Sequence, residues 1–367
     1  TLRLFLPAEM RTGKVRELYR NYATLSVSVE EMKLAKTAKN QWGAAVYLAE
    51  NGKTDCAYLN NVYPGGVSAL EKKGYVTITK EQLLQRFAKT TLLDGATGSK
   101  LQKAGMPRGC CTEEWILANP EKLISLQRSY VEAGSQILLA PTFQAQPIPL
   151  ERVGLHKQTE AVNAHLAALS KSVSPDVLVA GNLTTLAAFC DSYDPENFDL
   201  LVENYRVQIG GLLEGGADLL AAETLMYPQE AEAIFTAAEL EGAEAVMYTF
   251  TMQSDGSFFS GRDAGPVLKE LEEAGAAAVG FNCVAADEKM PYLISRLRRH
   301  VKGPLICKPN AGLPVVNADG VAEYHMRPEE FAAICGRCAE NGAALIGGCC
   351  GTAPEFIRAI QDLAVEK

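Results

Sequence analysis

The sequence predicts a (β/α)₈ barrel over residues 89–367, an α/β fold, behind a small basic α+β domain at 1–88. Three observations lead there. Beyond residue 90, eight short apolar runs alternate with amphipathic stretches of helical period. The runs have the length and continuous apolarity of strands buried on both faces, as a parallel sheet requires. No Gly-x-Gly-x-x-Gly follows the first run, although Leu92–Lys100 is glycine-rich, and eight regular units are more than a doubly wound open sheet needs.

The predicted strands are TTLLDG at 90–95, SQILLAPTF at 135–143, VLVAGNL at 177–183 and DLLAAET at 218–224. They continue as EAVMYTFTM at 244–252, AAAVGFNC at 276–283, PLICKPNAG at 304–312 and AALIGGCC at 343–350. Helical patterns between them include 119–134, 198–216, 227–242 and 328–342, with a last helix at 352–367. Several open on Pro or an acidic first turn and close on Gly, in keeping with how helices start and stop.

Residues 1–88 read differently. RLFLPAE at 3–9 suits a short strand, KVRELYRNY at 14–22 a helix, and 28–53 one or two helices. Residues 65–87 read as helix, hairpin, helix, and the Lys72-Lys73-Gly74 ending before GYVTI looks like a recognition helix and wing. This stretch resembles a winged-helix segment; the alternative is a structural extension of the barrel. Residues 1–88 carry thirteen Lys and Arg against eight Asp and Glu, whereas the remainder carries 22 against 36. The change of sign suggests two units with different partners, of which the acidic one is a poor binder of nucleic acid or anionic membranes.

No run of eighteen apolar residues exists, and the opening TLRLFLPAEMR is too short in apolar length for a signal peptide. A cytoplasmic location is expected. Ten cysteines in a reducing compartment are then buried apolar residues or metal and redox groups, rather than a disulfide framework.

Barrel chemistry belongs at the carboxyl ends of the strands. The sixth run ends on Cys283 and the eighth on Cys349 and Cys350, with Gly347, Gly348 and Gly351 around them. Three thiols converging on one rim suit Zn²⁺, which prefers sulfur ligands and keeps a fourth position open at catalytic sites. A substrate thiol in that position would be held as a thiolate nucleophile, favouring alkyl transfer to sulfur over hydrolysis. The competing reading is three buried, unreactive cysteines. Cys335 and Cys338 lie one turn apart within a helical pattern, away from the rim, while Cys110 and Cys111 follow the first strand on the correct face. No histidine has HxxxH or HExxH spacing. Asp94 and Glu223 end the first and fourth runs, where they can grip an ammonium group or cap the next helix or loop.

From Leu92 onward the chain resembles the homocysteine S-methyltransferase family. The matching motifs are LLDGATGSKLQ at Leu92–Gln102, YVEAGSQILLAPTFQAQ at Tyr130–Gln146 and GADLLAAET at Gly216–Thr224, then VGFNC at Val279–Cys283, PNAGLP at Pro309–Pro314 and GGCCGTAPEFIRAI at Gly347–Ile360. The resemblance implies that Cys283, Cys349 and Cys350 take the zinc-ligand positions, acting catalytically through the metal. It implies further that Asp94 and Glu223 hold the homocysteine amino group, that the Gly95 backbone lies near its carboxylate, and that Thr142 and Phe143 line the pocket. Where the family often has TNTF, this chain has Ala140-Pro141-Thr142-Phe143, and Gln146 stands where an Asn often follows.

The implied reaction is methyl transfer to homocysteine, forming methionine, with Zn²⁺ as cofactor. The chain stops after the eighth helix, so no fused folate, cobalamin or reductase module is expected behind it, nor the extension of betaine-type enzymes. S-methylmethionine, S-adenosylmethionine or a methyl-corrinoid carried by a separate protein remain as donors. Two rival readings use the same residues: a corrinoid-linked demethylase, and a homocysteine-sensing barrel attached to a nucleic-acid-binding module.

If the two units are independent, a chain cut between Phe87 and Leu92 should yield a folded, zinc-loading barrel. The separate 1–88 piece, if a winged helix, should bind duplex DNA with an affinity that falls steeply with salt. An insoluble barrel piece would instead make 1–88 its structural cover.

Overall fold

The computed structural model describes residues 22–23, 39–51, 54–55, 62, 80–87, 89–318 and 321–365. The chain divides into two compact units, Thr1–Arg86 and Phe87–Lys367. In the first, helix Lys39–Asn51 falls within the helical pattern at 28–53 and Lys80–Arg86 within the last one. Tyr22–Ala23 pairs antiparallel with Thr54–Asp55, so the helical pattern at 14–22 ends in a strand residue. Lys72, Lys73 and the GYVTI wing lie outside the described residues.

The second unit is the (β/α)₈ barrel. Its strands are β1 Thr91–Leu92, β2 Ile137–Leu139, β3 Leu178–Thr184, β4 Leu219–Leu225, β5 Val246–Phe250, β6 Ala278–Ala285, β7 Leu305–Asn310 and β8 Ala343–Ile346. All neighbours run parallel in sequential order, and β8 pairs with β1. The circle closes through the bridge between Leu93 and Ile137, where the Gln136 N–H donates to the Leu92 carbonyl at 2.8 Å. A closed sheet leaves no unpaired edge.

Eight helices follow the strands: α1 Pro120–Glu132, α2 Thr159–Lys171, α3 Phe198–Glu214, α4 Pro228–Glu241, α5 Ala264–Ala274, α6 Met290–Arg298, α7 Pro328–Glu340 and α8 Pro354–Val365. Proline opens α1, α4, α7 and α8, where its missing N–H has no intrahelical partner to lose. Strand residues are buried almost throughout, and Tyr205, Phe281 and Phe331 are among the fully buried side chains. Each such aromatic contributes roughly 1.5–3 kcal/mol relative to exposure. No helix among the described residues is long and apolar enough to cross a membrane.

Sequence reading did not find the additions at the rim. Short helices Gly98–Lys103 and Thr112–Ala118 fill the passage from β1 to α1. A hairpin of Val315–Val316 with Ala322–Glu323 follows β7. The predicted eighth strand is also shorter than its apolar run: pairing stops at Ile346 and GGCC leaves the sheet as a turn.

Packing between β6 and β7 makes one glycine indispensable. A Cβ at Gly280 would strike the Ile306 carbonyl and approach the Ile306 nitrogen to 2.7 Å. Gly280→Ala should therefore lower the denaturation midpoint of the barrel, by an amount equivalent to about 1–3 kcal/mol. Gly98→Ala, which meets nothing within 4 Å in a helix, should be neutral or stabilising by up to about 1 kcal/mol. Equal midpoints for the two variants would contradict this packing.

Candidate active site

Cys349 and Cys350 sit on a turn held from both sides. The Gly348 N–H donates to the Asp94 carbonyl at 2.9 Å, and the Cys349 N–H to the Pro309 carbonyl at 2.7 Å. The Cys350 N–H donates to Asn310 Oδ1 at 3.0 Å, and its carbonyl accepts from Ala311 N–H at 2.9 Å. Thr352 Oγ1 donates to the Cys349 carbonyl and accepts from Ala96 N–H, closing the turn against the loop after β1. At Gly347 a Cβ would lie 2.7 Å from the Asp94 carbonyl, so the close approach of the two loops requires glycine there.

Cys283 reaches the same place by strain. It has φ 57°, and Thr224 at the end of β4 has φ 59°. Such left-handed backbone costs on the order of 1–3 kcal/mol for a side-chain-bearing residue and needs surrounding contacts to hold it. For Thr224, Asn282 supplies them. Its Oδ1 accepts from Thr224 N–H at 2.7 Å and from Thr249 Oγ1 at 3.0 Å, while its Nδ2 donates to Thr224 Oγ1 at 2.7 Å. The outcome is that the sulfurs of Cys283, Cys349 and Cys350 lie within 4.8 Å of one another, a set able to hold a metal ion. Thiols so close share protons. Hydrogen bonds from Cys283 and Cys349 pull Cys350 far below the ordinary thiol range, and the same contacts push Cys283 up.

These three cysteines line a cavity of about 300 Å³ together with Asp94, Gly95, Phe143, Asn182, Glu223 and Lys308. Asp94 is 1% exposed. Its Oδ2 accepts from Leu139 N–H at 2.8 Å, whereas Oδ1 has no hydrogen-bond partner. Burial pushes its carboxyl up to about 7, against the pull of Lys308 and the Leu139 amide. Glu223 is engaged through both oxygens: Oε1 accepts from Asn182 Nδ2 at 3.0 Å, and Oε2 from Lys308 Nζ at 2.9 Å and Asn282 Nδ2 at 3.4 Å. Lys308 Nζ lies 3.9 Å from Asp94 Oδ1. Burial pulls the Lys308 ammonium down, but Glu223 and Asp94 outweigh it and its pKa is raised.

The structure thus brings Asp94, Gly95, Phe143, Glu223 and the three cysteines to one cavity. Thr142 is not among the lining residues. Its buried hydroxyl donates to the Asn182 carbonyl at 2.9 Å and accepts from the Asn182 N–H at 3.1 Å, which ties β3 to the loop after β2. Cys335 and Cys338 are buried in α7. Cys110 is exposed and donates to the Pro107 carbonyl, and Cys111 donates to Glu113 Oε2 at 3.4 Å. Neither joins the thiol cluster. Sequence reasoning missed Lys308, Asn182 and Asn282. The available signal was a polar side chain at the end of an apolar run, above all a lysine inside LICKPN.

A second, more open cavity of about 770 Å³ shares Cys283 and is lined by Met252, Phe259, Val284, Leu313 and Met326, among others.

Comparison with known proteins agrees with this geometry. The model of the homocysteine S-methyltransferase family matches residues 91–364. Methionine synthase of Mycobacterium leprae is 28% identical over 313 residues, and that of Mycobacterium tuberculosis 29%. Each alignment covers 80% of this chain and 26% of the relative, so the chain spans about a quarter of those proteins' length. Among solved structures, the metallated form of the homocysteine methyltransferase MmuM from Escherichia coli is similar with a TM-score of 0.65 at 25% identity, covering 75% of this chain and 96% of that one.

Asp94 has a consequence for stability. Its carboxyl titrates at about 7 when folded and near the ordinary 3.8 when unfolded. Between these values the folded chain holds the extra proton, so this group's contribution is most favourable below about pH 4 and declines as pH rises to about 7. The decline is on the order of 4 kcal/mol at most. In the metal-free protein, Asp94→Asn should flatten it, measured as denaturation midpoints from pH 4 to 8. An unchanged pH profile in the variant would show that Asp94 is ionised throughout.

Proposed function

The chain belongs to the homocysteine S-methyltransferase family, and from that premise we propose that it transfers a methyl group to the thiol of homocysteine, forming methionine, with Zn²⁺ held by Cys283, Cys349 and Cys350. One observation carries the reading: three thiols from two strand ends meet in a cavity that also presents an unpartnered buried carboxylate oxygen. That pairing suits a substrate with a sulfur at one end and an amine at the other. Zinc, when bound, supplies the Lewis acidity that keeps a substrate thiol ionised near neutral pH.

The chain's own residues do the rest. Asp94 Oδ1 receives the substrate ammonium, relieving an acceptor that would otherwise stay buried and unpaired. The Gly95 backbone lies near the substrate carboxylate, and Phe143 with Leu139 forms an apolar wall that excludes water. The methyl donor enters by the wider cavity on the other flank of Cys283. It is read as a sulfonium compound or a methyl-corrinoid on a separate protein.

The purified protein should hold about one zinc per chain. Cys283→Ala, Cys349→Ala and Cys350→Ala should each strip the metal, whereas Cys335→Ala and Cys338→Ala should retain it. Homocysteine should bind the zinc form with release of about one proton, because the thiolate is the ligand. Metal analysis and calorimetry in buffers of different ionisation enthalpy test both. Zinc retained by all three rim variants would overturn the site.

A further inference from the structure

Among the described residues lining the cavity, Lys308 is the one cation, and the proposed reaction leaves it without a role. It stands at the carboxyl end of β7 and is 5% exposed. Lysine is rarely buried so deeply without a partner. Its partner is Glu223 at 2.9 Å; Asp94 Oδ1, at 3.9 Å, is inside ion-pair reach but beyond a hydrogen bond. The two carboxylates are therefore unequal. Glu223 has both oxygens occupied, by Asn182, Lys308 and Asn282. Asp94 has one oxygen occupied by an amide and the other buried without a hydrogen-bond partner.

We infer that Lys308 is a positioning residue. Its ion pair with Glu223 keeps its own ammonium off Asp94, so that Asp94 Oδ1 stays unpaired for the amino group of the thiol substrate. Glu223 thereby restrains the lysine. The inference rests on reading the cavity as the homocysteine site. Without Glu223, rotation about the end of the lysine side chain closes the 3.9 Å gap to Asp94, and an internal ammonium then competes with the substrate's.

The test compares homocysteine with 4-sulfanylbutanoic acid, the same molecule without its amine, by calorimetry on zinc-loaded protein with metal content checked for each variant. The wild type should favour homocysteine by about ten- to hundredfold, the range of a charge-assisted hydrogen bond. Asp94→Asn should bring that ratio close to one. Glu223→Gln should lower it about tenfold, because Lys308 is released onto Asp94. Glu223→Gln with Lys308→Met should restore it to within about threefold of wild type, since the competing ammonium is gone. Should methionine not be tolerated, Lys308→Gln in the same background makes the same comparison. A merely structural Lys308 cannot produce this recovery. A ratio as low in the double variant as in Glu223→Gln alone overturns the role of Lys308 and leaves the homocysteine site standing, whereas one preserved in Asp94→Asn removes Asp94 from the amine site and overturns both. A wild type that binds neither compound overturns both.

Discussion

The turn from Gly347 to Thr352 is clamped between the ends of β1 and β7, and the site depends on that clamp. Backbone hydrogen bonds to Asp94 and Pro309, and one from the Cys350 N–H to the Asn310 side chain, fix Cys349 and Cys350 relative to the ends of β1 and β7, where Asp94 and Lys308 stand. Sulfur ligands for a small ion must be placed within a few tenths of an ångström, and flexible loops rarely achieve this. Here the first, seventh and eighth strands share one network, which places the two thiols of the turn.

The sixth strand joins by a different device. Cys283 adopts left-handed backbone, matched by Thr224 two strands away, and the amide of the neighbouring Asn282 holds Thr224. Local strain at a rim is tolerable because the strands beneath are buried and paired on both sides. Asn282 also reaches Glu223 at 3.4 Å and Cys349 Sγ at 3.8 Å, which couples the carboxylate end of the cavity to the thiol end.

Charge balance explains the remaining polar residues. Two buried carboxylates beside three thiols repel one another in a low-dielectric mouth, and a buried ion without partners is costly. Lys308 offsets that repulsion from within the sheet, and Asn182 and Asn282 absorb what remains of Glu223. The result is an asymmetric pair of acids: one hydrogen-bonded through both oxygens, the other buried with one oxygen unpaired.

The eight strands and their helices were legible in the sequence because burial on both faces demands long apolar runs, and Pro and Gly mark helix ends locally. The three rim cysteines were legible too, since strand ends in a barrel converge on one face whatever the loops do. Lys308, Asn182 and Asn282 were present in the same runs, but hydrogen-bond partners separated by more than forty residues in sequence leave no local mark. Thr142, which the family resemblance placed in the pocket beside Phe143, turns its hydroxyl to β3 instead. Periodicity and residue type thus determined the barrel and the end at which the three cysteines meet. Only the folded arrangement, through an ion pair from β7 to β4, decided which carboxylate keeps an unpaired oxygen, because that pair joins residues far apart in the chain.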